Sequence, residues 1–593
     1  MSLIAVIAHD RRAAIEESDV DELAQTYASL RGGHVRRKAS AGDHARAIEL
    51  RRGAGREEST PTGSWVMTAG VPHGPSSPEG VRVEDLEGQF ALIAHDADAT
   101  EVTVASDPFG MLGLYVASRE GRTYVATSAL ALAKHLRAKP RRLGLEIFLM
   151  AGNHFGTATN WEGIERLDPA TRIVFAKHGV RRETYWRPQI DADVARMDLE
   201  ETVRHSSEVA STTYARLLAG GGRTWADLTG GFDTRLLLLL LQAAGVDFRT
   251  NTVGDDGDDD VRISRRIAQT AGWEWTQLRL PGDWAEEIPA ILPLSIGWSD
   301  GHLDVLQLSQ VLWGHREKSR IPGSLMIGGG GEHFRQTAWQ QEFLRAGKST
   351  RVNLENWVNM RLLHPMDKSV LAADPTDEVK ADLRERMVAW AAPYSSELNT
   401  TQLDVMQAYK VTGHFGAYLS AARAFLEPQL PFFFRPVFSA LFSTSYRLRN
   451  NHRLMRHLMH ALDPRIAAIE TTNGGPADPQ RISNIHRFLP YYVDMGRRAL
   501  NKLAERATGR GLFSRPNHPD ERIVAARRAV LDQFTGDEAL TPQTMRTARL
   551  YDPAALGQLV ERARRPDFDG DELLGRILTL ELTLRAADAS LDE

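Results

Sequence analysis

The stretch DLTGGFDTR combines residue types that bind an anion and a metal ion. Its two adjacent glycines, Gly230 and Gly231, let backbone N–H groups approach an anion where a Cβ would block the approach. The hydroxyls of Thr229 and Thr234 add donors. Asp233 supplies a carboxylate, and magnesium prefers carboxylate together with phosphate oxygen. The stretch therefore predicts a loop that binds a phosphate-bearing ligand together with magnesium.

An apolar run from Leu236 to Leu241 follows this loop directly. The run is too continuous for an amphipathic surface helix, so it predicts a buried helix packed on a sheet. A helix that begins at the loop presents its positive end to a bound anion. The stretch is not a Walker A motif, because the lysine of G-x-x-x-x-G-K-[ST] is missing.

A second glycine loop lies in the stretch MIGGGGEHF, which follows an apolar strand as an anion-binding loop should. The loop contains Gly328 and Gly330, and Glu332 supplies a second carboxylate that can bind magnesium. A plain glycine-rich turn is the alternative interpretation. Two such loops, each after a strand and each with one carboxylate, favour a binding site.

The two loops and the intervening triplet TVG resemble, in order, three motifs of the asparagine synthetase family, which includes the β-lactam synthetases and the lasso-peptide cyclases. LTGGFDTR is similar to the S-G-G-x-D-S pyrophosphate loop, and TVG to the S-I-G that lies against adenine and ribose. Glu332 falls on the aspartate that is the other magnesium ligand, and Gly329 falls where relatives carry Glu or Tyr. The resemblance implies nucleotide-binding residues Thr229, Gly230, Gly231, Asp233, Thr234, Thr252, Gly254, Gly328 and Gly330, with Asp233 and Glu332 as metal ligands.

The segment EGQFALIAHDADATEVTVASDPFGMLGLYVA resembles the glutaminase domain at the amino terminus of the same family, with the residues 106–110 and Tyr115 in the places of R-D-x-x-G and a tyrosine. In glutamine-using relatives the nucleophile is a cysteine directly after the initiator methionine. Here that position is Ser2, and the sequence contains no cysteine. Serine is a poorer nucleophile unless it is specially activated. We therefore expect a retained domain that does not hydrolyse glutamine, as in β-lactam synthetases and lasso cyclases.

The stretch LEPQLPFFF resembles the family segment E-x-R-x-P-F-L-D, with Gln429 and Phe434 in place of the arginine and the aspartate. In β-lactam synthetases a tyrosine–glutamate pair deprotonates the attacking amine. The resemblance implies that Glu427 is the carboxylate of such a pair and that Tyr409 or Tyr418 supplies the phenol. This is a geometric expectation, because a base must reach the amine within hydrogen-bonding distance.

The largest departure from the family is a missing lysine that stabilises charge on the acyl-adenylate and pyrophosphate. Thr472 or Asn473 stands in its place. Arg453, Arg456 or Lys410 are candidates to replace it, although each also fits a simple helix-surface charge.

The predicted fold is α/β: an N-terminal glutaminase-like αββα sandwich, then a parallel-sheet ATP-pyrophosphatase domain with a helical C-terminal part. Residues 1–190 are rich in short β-type segments, and from about 200 helices alternate with apolar strands. We expect domains at 1–190, 200–480 and 481–593, the last a helical extension packed on the synthetase domain. The basic, aromatic stretch 481–520 fits either a lipid or partner surface or a helix pair covering the core, and we favour the helix pair.

Composition limits the class of protein. The chain has 593 residues, a net charge of −5 and no cysteine, which argues against a nucleic-acid binder and excludes thiolate chemistry. The N-terminus lacks the pattern of a signal peptide, and no run of about 20 apolar residues predicts a membrane span. We expect a cytoplasmic protein that acts on a small molecule or peptide, with a homodimer or a companion biosynthetic protein left open.

The function that the resemblance implies is an ATP- and Mg²⁺-dependent ligase that adenylates a carboxylate and transfers the acyl group to an amine. The amine would be intramolecular, as in β-lactam or lasso-ring closure by a macrocyclase, or supplied without glutamine hydrolysis. The alternative from another class is a nucleotide-binding scaffold that no longer catalyses. ATP-pyrophosphatase chemistry on a nucleobase or on tRNA sulfur lacks support here, because no cysteine exists to carry a persulfide.

Overall fold

The structure is a computed structural model, and it begins with a sandwich of two antiparallel sheets. The residues that it describes are 2–8, 15–51, 63–75, 81–342, 344–508, 521–536 and 539–591. The strands of the sandwich are β1 (Ser2–Ala8), β2 (His34–Ala41), β3 (Ala45–Arg51), β4 (Trp65–His73), β5 (Glu87–Asp96), β6 (Glu101–Ser106), β7 (Tyr115–Arg119), β8 (Arg122–Ala126), β9 (Ile164–Arg166), β10 (Thr171–Ala176) and β11 (Gly179–Thr184). One sheet has the order β2-β3-β1-β8-β7-β9 and the other β11-β10-β6-β5-β4.

Strand β1 shows why the sandwich forms, because apolar residues occupy both of its faces. Successive side chains of a strand point to opposite faces of the sheet. Leu3 and Ile7 pack between the two sheets, whereas Ile4 and Val6 pack against helices on the outside of the first sheet. A strand buried on both faces reads as a continuous apolar run rather than as an alternation.

The helices of the chain connect and cover the sheets. In the first half they are α1 (Glu17–Arg31), α2 (Ala129–Leu136), α3 (Arg142–Ala151), α4 (Ala192–Arg196), α5 (Leu199–Leu218), α6 (Asp233–Ala243), α7 (Asp259–Ala271), α8 (Trp284–Ser299) and α9 (Val305–Lys318). In the second half they are α10 (Leu354–Trp357), α11 (Thr376–Ala391), α12 (Asn399–Ala422), α13 (Arg435–Ser443), α14 (Tyr446–Arg449), α15 (Arg453–Leu462), α16 (Pro464–Ala467), α17 (Leu489–Thr508), α18 (Glu521–Gly536), α19 (Pro553–Ala563) and α20 (Asp571–Ala586).

The two outer faces of the sandwich are covered differently among the described residues. Helices α1 and α2 cover the outside of the first sheet. On the outside of the second sheet the apolar cluster is built from strand residues, from the turn around Val83 and Leu86, and from Tyr185. None of its apolar members in the described part of the chain comes from an α-helix. The apolar packing described on the outside of the second sheet thus comes from strands and turns.

A third sheet is entirely parallel and carries both glycine loops. Its strands are β12 (Thr224–Asp227), β13 (Phe248–Val253), β14 (Trp275–Leu278), β15 (Ser324–Met326) and β16 (Glu427–Gln429). Their order is β14-β13-β12-β15-β16, and all four pairings are parallel. The chain leaves β12 towards β13 on one side and later returns to β15 on the other. In such sheets ligands bind at the carboxyl ends of the strands, at the point where the strand order reverses.

The apolar run predicted as a buried helix is α6, and Leu236 to Leu241 are all buried. The helix packs with α5 and α15 on one face of the parallel sheet, while α12 lies on the opposite face. A layer of helices on each face buries both sides of a parallel sheet, as such sheets require. The predicted mixed α/β organisation of this part is confirmed.

The C-terminal helices contact both halves of the chain. Helices α18, α19 and α20 share one apolar cluster with α1, α2, α3 and α8. The segment DELLGRILTLELTLR lies in α20, and its Leu574, Ile577 and Leu578 are fully buried, as predicted for a packing helix.

Helix α17 lies at the periphery, and one of its faces does not cover a core. Phe488, just before the helix, is buried, but Leu489, Val493 and Leu500 are 63%, 51% and 52% exposed. The predicted covering of the core is therefore absent on that face, and the remainder of the stretch, 509–520, lies outside the described residues. No helix in the described ranges is both long enough and apolar enough to cross a bilayer.

Candidate functional site

The first glycine loop connects the end of β12 to the start of α6, and its N–H groups are held by side-chain oxygens. Thr229 N donates to Thr234 Oγ1 at 3.1 Å, and Gly231 N donates to Thr229 Oγ1 at 3.3 Å. Gly230 N donates to Asp260 Oδ1 on α7 at 2.7 Å. Oxygen acceptors thus surround the loop donors that the sequence predicts for phosphate. Asp260 is a neighbour of this loop that the sequence motif did not indicate.

The second glycine loop lies against the first. It follows β15 and leads into a 3₁₀ turn, Gly331–Phe334. A Cβ added at Gly331 would lie 2.6 Å from the Cβ of Asp233, and one at Gly328 would lie 3.0 Å from Thr234 Cγ2. Gly330 has a φ of +93°, a conformation that favours glycine, and its N–H donates to Glu332 Oε2 at 3.0 Å. The glycines therefore serve the close approach of the two loops.

This approach brings the two predicted carboxylates, Asp233 and Glu332, into one electrostatic environment. Burial raises the pKa of Asp233 to about 6; the Arg335 guanidinium opposes the rise and Glu332 adds to it. Asp233 Oδ2 accepts a hydrogen bond from Arg335 Nη2 at 2.7 Å, whereas Asp233 Oδ1 is buried without a hydrogen-bond partner in the described chain.

The carboxylate pair fits a magnesium ion bound jointly with phosphate. A buried oxygen without a partner is costly unless a ligand satisfies it. Magnesium is usually held by one or two protein carboxylates plus phosphates and water. The described residues contain no cluster of three or more His, Asp or Glu side chains that could hold a metal ion.

Three cations gather around Glu332. Burial lowers the pKa of Lys410 to about 8, Arg361 lowers it further, and Glu332 opposes the shift. Burial also lowers the pKa of Arg361, and the charge of Glu332 opposes this shift. The Nε and Nη2 atoms of Arg361 are buried without hydrogen-bond partners in the part of the chain that the structure describes. Together with Arg335, Lys410 and Arg361 place three positively charged side chains beside the two carboxylates.

Of these cations only Lys410 was predicted. Arg335 follows Glu332 by three residues, so its place beside the second loop was a signal that sequence reasoning missed. Arg361 lies in a single π-helical turn, Val358–Leu362, and no motif marks it. Only the tertiary fold brings Arg361 to the site.

Arg235 ties the first loop to the segment after α16. Its Nη2 donates to Gly230 O at 3.2 Å and to Glu470 O at 2.9 Å, and its Nη1 donates to Ile469 O at 2.9 Å. Thr472 N donates to the same Gly230 oxygen at 3.2 Å. The arginine of the loop motif is thus a buried bracket that holds the loop backbone.

Unlike Lys410, the other residues considered as replacements for the missing lysine do not reach the carboxylates. Thr472, which stands in the lysine's place, contacts Gly230 through backbone and methyl groups. Arg456 lies between the rings of Phe232 and Phe488, at 5.0 and 4.9 Å, and donates to backbone carbonyls. Arg453 is exposed. Arg456 therefore supports the loop from behind, and Lys410 is the predicted cation that the structure brings near Glu332.

The predicted nucleotide-flanking residues lie at the end of β13. Thr252 is buried; its hydroxyl donates to Leu228 O at 2.8 Å and accepts from Trp275 Nε1 at 3.0 Å. Gly254 has a φ of +148°, and a Cβ there would lie 2.5 Å from Asp258 Oδ2. Both residues shape the backbone of this edge.

Glu427 lies at the other end of the parallel sheet. It pairs with Ser324 at the start of β15, whereas Met326, which leads into the glycine loop, pairs with Gln429. Glu427 lines a cavity of about 470 Å³ together with Ser2, Arg31 and other residues between the sandwich and the parallel sheet. The structure therefore places Glu427 in the cavity that Ser2 also lines and not with the two glycine loops.

The two candidate phenols are also dispersed. Tyr409 packs on Trp390 with ring centroids 5.2 Å apart, and burial raises its pKa to about 12. Tyr418 packs edge-on against His315 at 5.4 Å. Neither position bears out a tyrosine–glutamate pair at the nucleotide loops.

Comparison with known proteins supports the nature of the N-terminal part. Residues 79–186 match the family model of a glutamine amidotransferase domain. No curated protein matches the chain. Glutamine phosphoribosylpyrophosphate amidotransferase from B. subtilis, complexed with ADP and GMP, is 9% identical, with 55% of this chain and 81% of that chain covered and a TM-score of 0.22. Glutamine-dependent NAD⁺ synthetase from Acinetobacter baumannii, in complex with ADP, is 11% identical, with 35% and 44% covered and a TM-score of 0.17.

The fold and the family match together define the class. The chain is a mixed α/β protein whose N-terminal sheets include a segment of glutamine amidotransferase type. That part is joined to a parallel sheet with two glycine loops at its carboxyl edge and to a helical C-terminal part.

Proposed function

We propose that the protein is an ATP-dependent, AMP-forming ligase that makes an amide bond by adenylating a substrate carboxylate. The observation that carries this proposal is the meeting of Asp233 and Glu332, each from its own glycine loop, at the carboxyl edge between β12 and β15. Nucleotides bind at such a switch point in open α/β sheets.

Asp233 and Glu332 would hold magnesium, which would neutralise charge on the triphosphate and make the α-phosphorus easier to attack. The chain's own groups do the rest of the binding. The N-terminus of α6 would bind the pyrophosphate, and the loop N–H groups would exchange their side-chain acceptors for phosphate oxygens. Lys410 and Arg361 face the charge that grows on the leaving pyrophosphate, so they take the role of the family's missing lysine.

The amine is supplied without glutamine hydrolysis in this proposal. The sequence has no cysteine, and Ser2 takes the nucleophile's place. Ring closure within one substrate, as in a β-lactam synthetase or a lasso-peptide cyclase, needs no ammonia and suits a chain whose glutaminase part has lost its thiol.

Calorimetry with Mg²⁺-ATP tests the proposal. The parent protein should bind ATP only with magnesium, and Asp233→Asn should lose about tenfold or more in affinity, because it removes a charged metal ligand. Asp256→Asn is the matched control, since Asp256 is an exposed aspartate on a neighbouring loop. Pyrophosphate exchange against candidate carboxylates then tests adenylation. A folded parent that binds no Mg²⁺-ATP would overturn the proposal.

A non-catalytic scaffold is the second candidate, and one observation favours it. Arg335 is paired with Asp233, and Asp260 holds the N–H of Gly230, so two groups needed by the nucleotide are engaged within the protein. A scaffold would bind ATP equally well with and without magnesium and would show no pyrophosphate exchange with any carboxylate. Magnesium-dependent binding followed by exchange would exclude it.

A further inference from the structure

A second cavity lies beside the proposed nucleotide site, between α9, α12 and α20. Its volume is about 280 Å³, which suits a small molecule or the end of a larger one. The side chains that give it chemical character are Asp304, His364, His414, Tyr418, Glu572 and Arg576. None of the sequence motifs indicated this cavity as a binding site.

Among the residues that line the cavity, Asp304 gives the strongest evidence for a bound ligand. Its Oδ1 caps α9 by accepting from Leu306 N at 2.9 Å. Its Oδ2 is buried and has no hydrogen-bond partner among the described residues. Gly575 on α20 allows this packing, because a Cβ there would lie 2.0 Å from Asp304 Oδ1. A buried carboxylate oxygen without a donor is expensive and calls for a ligand that donates.

The cationic side chains that line the cavity do not donate a hydrogen bond to Asp304 Oδ2. Arg576 Nη1 donates to Leu149 O at 3.0 Å, and its Nη2 donates to Glu572 Oε2 at 3.1 Å. The pKa of His364 is lowered by burial and then by Arg576, so its imidazole is neutral at pH 7. The cavity therefore contains one carboxyl group, Asp304, whose Oδ2 receives no hydrogen bond from the described residues, and Arg576 acts on it only through its charge.

The cavity adjoins the carboxylates and cations of the proposed nucleotide site. His414 lies one helical turn from both Lys410 and Tyr418, on the same face of α12. Burial lowers the pKa of His414, Lys410 lowers it further, and Glu332 opposes the shift. His414 lines the cavity and lies one turn from Lys410, whose charge acts on Glu332, so a ligand in the cavity contacts the same face of α12 that carries the proposed site's lysine.

We infer that this cavity is the acceptor site of the ligase and binds a protonated primary amine, with Asp304 as the group that recognises the ammonium. The inference rests on the proposed function for its role in the reaction, but the binding can be measured alone. An ammonium offers three donors, and Asp304 Oδ2, the neutral imidazole of His414 and the hydroxyl of Tyr418 supply acceptors. A carboxylate ligand would meet Asp304 and Glu572 as like charges.

Two small probes of equal length and opposite charge test the inference. n-Butylammonium and butyrate are titrated into the whole protein and followed by ligand-observed NMR. The parent should bind n-butylammonium and not butyrate at this site. Asp304→Asn should lose about tenfold or more in affinity for n-butylammonium, because it removes the charged acceptor but keeps a good helix cap. Asp304→Ser, also a good cap, should repeat the loss.

Asp552→Asn is the control, because Asp552 is an exposed N-cap aspartate whose side chain accepts from Ala555 N at 2.8 Å. Its affinity for n-butylammonium should equal that of the parent. Equal binding by the parent and both Asp304 variants, or butyrate binding that Asp304→Asn leaves unchanged, would overturn the inference.

The same proteins separate this inference from the proposed function. Asp304→Asn should bind Mg²⁺-ATP as the parent does. Amine binding without any Mg²⁺-ATP binding in the parent would remove the ligase proposal and leave an amine-binding cavity. Mg²⁺-ATP binding with no dependence of amine binding on Asp304 would remove the acceptor site and leave the ligase.

Discussion

Arg335 donates to one oxygen of Asp233 at 2.7 Å, while the other oxygen of that carboxylate is buried without a hydrogen-bond partner in the described residues. Arg335 therefore pairs with one of the two oxygens of a carboxylate that the sequence motif assigns to magnesium. A guanidinium and a divalent cation compete for the same negative charge. In the proposed ligase, the pair would therefore set how strongly the site binds metal before any nucleotide arrives.

Replacement of Arg335 by glutamine should tighten the binding of Mg²⁺ alone by about tenfold, because a positive charge beside Asp233 and Glu332 is removed. Calorimetric titration with magnesium chloride in the absence of nucleotide measures this effect. Arg345→Gln changes an exposed arginine and should leave the affinity unchanged. Unaltered Mg²⁺ affinity in Arg335→Gln would show that Asp233 is not the metal ligand.

Gly331→Ala should weaken Mg²⁺-ATP binding by about tenfold or more without unfolding the protein. The new Cβ would lie 2.6 Å from Asp233 Cβ, so the two glycine loops must move apart and separate the carboxylates. Gly282→Ala is matched to it, because a Cβ at Gly282 meets nothing within 4 Å. The readout is calorimetric affinity for Mg²⁺-ATP, and parent-like affinity would contradict the close approach of the loops.

Arg235→Gln should lower the free energy of unfolding by about 3 kcal/mol, because it removes the guanidinium that donates to the carbonyl groups of residues 230, 466, 469 and 470 from a buried position. Urea denaturation followed by tryptophan fluorescence measures the change. Arg266→Gln, an exposed arginine on α7, should cost little. Equal stability of the two variants would mean that Arg235 is not a structural bracket.

Asp304 should make the stability of the protein depend on pH. Burial raises its pKa from 3.8 to about 7, so between these values the folded chain holds a proton that the unfolded chain has lost. Its stabilising contribution is complete below pH 4 and is lost as the pH rises through 7, by up to about 4 kcal/mol. Denaturation curves at pH 4 and pH 8 should show a larger fall for the parent than for Asp304→Asn. Equal falls would contradict the raised pKa.

Glutamine should not be a nitrogen donor for this protein. Ser2→Ala should leave Mg²⁺-ATP binding and any pyrophosphate exchange unchanged, and the parent should release no glutamate from glutamine. Coupled glutamate detection measures this directly. Glutamate release by the parent that Ser2→Ala abolishes would show that the serine is an activated nucleophile.

Much of the candidate site was predictable because its parts are local in sequence. Asp233 and Glu332 follow glycines that follow strands, and parallel strands place their carboxyl ends on one edge. Arg235 belongs to the same motif, but the motif did not indicate that its side chain holds the loop backbone. The helix α6 was predictable from its unbroken leucines, which only a buried position tolerates.

Glu427 shows that resemblance by motif does not fix the position of a residue in a sheet. Its segment looks like the family's, but register decides which end of a strand a residue occupies. Glu427 pairs with Ser324 at the amino end of β15, so it faces the cavity that contains Ser2. Glu427 lies two strand positions before Gln429, which pairs with the residue that leads into the loop, and no local pattern records that register.

The sequence by itself determined the two loops, their carboxylates, the absence of a thiol and the alternation of helices and strands that requires a parallel sheet. The tertiary structure alone decided which cations stand beside those carboxylates and which oxygens lack a donor. Arg361, Lys410 and Asp304 come from three distant segments, and each is an ordinary charged residue in its own helix or turn. Their importance arises from burial, because charge and hydrogen-bonding demand become large only where neighbouring elements exclude water.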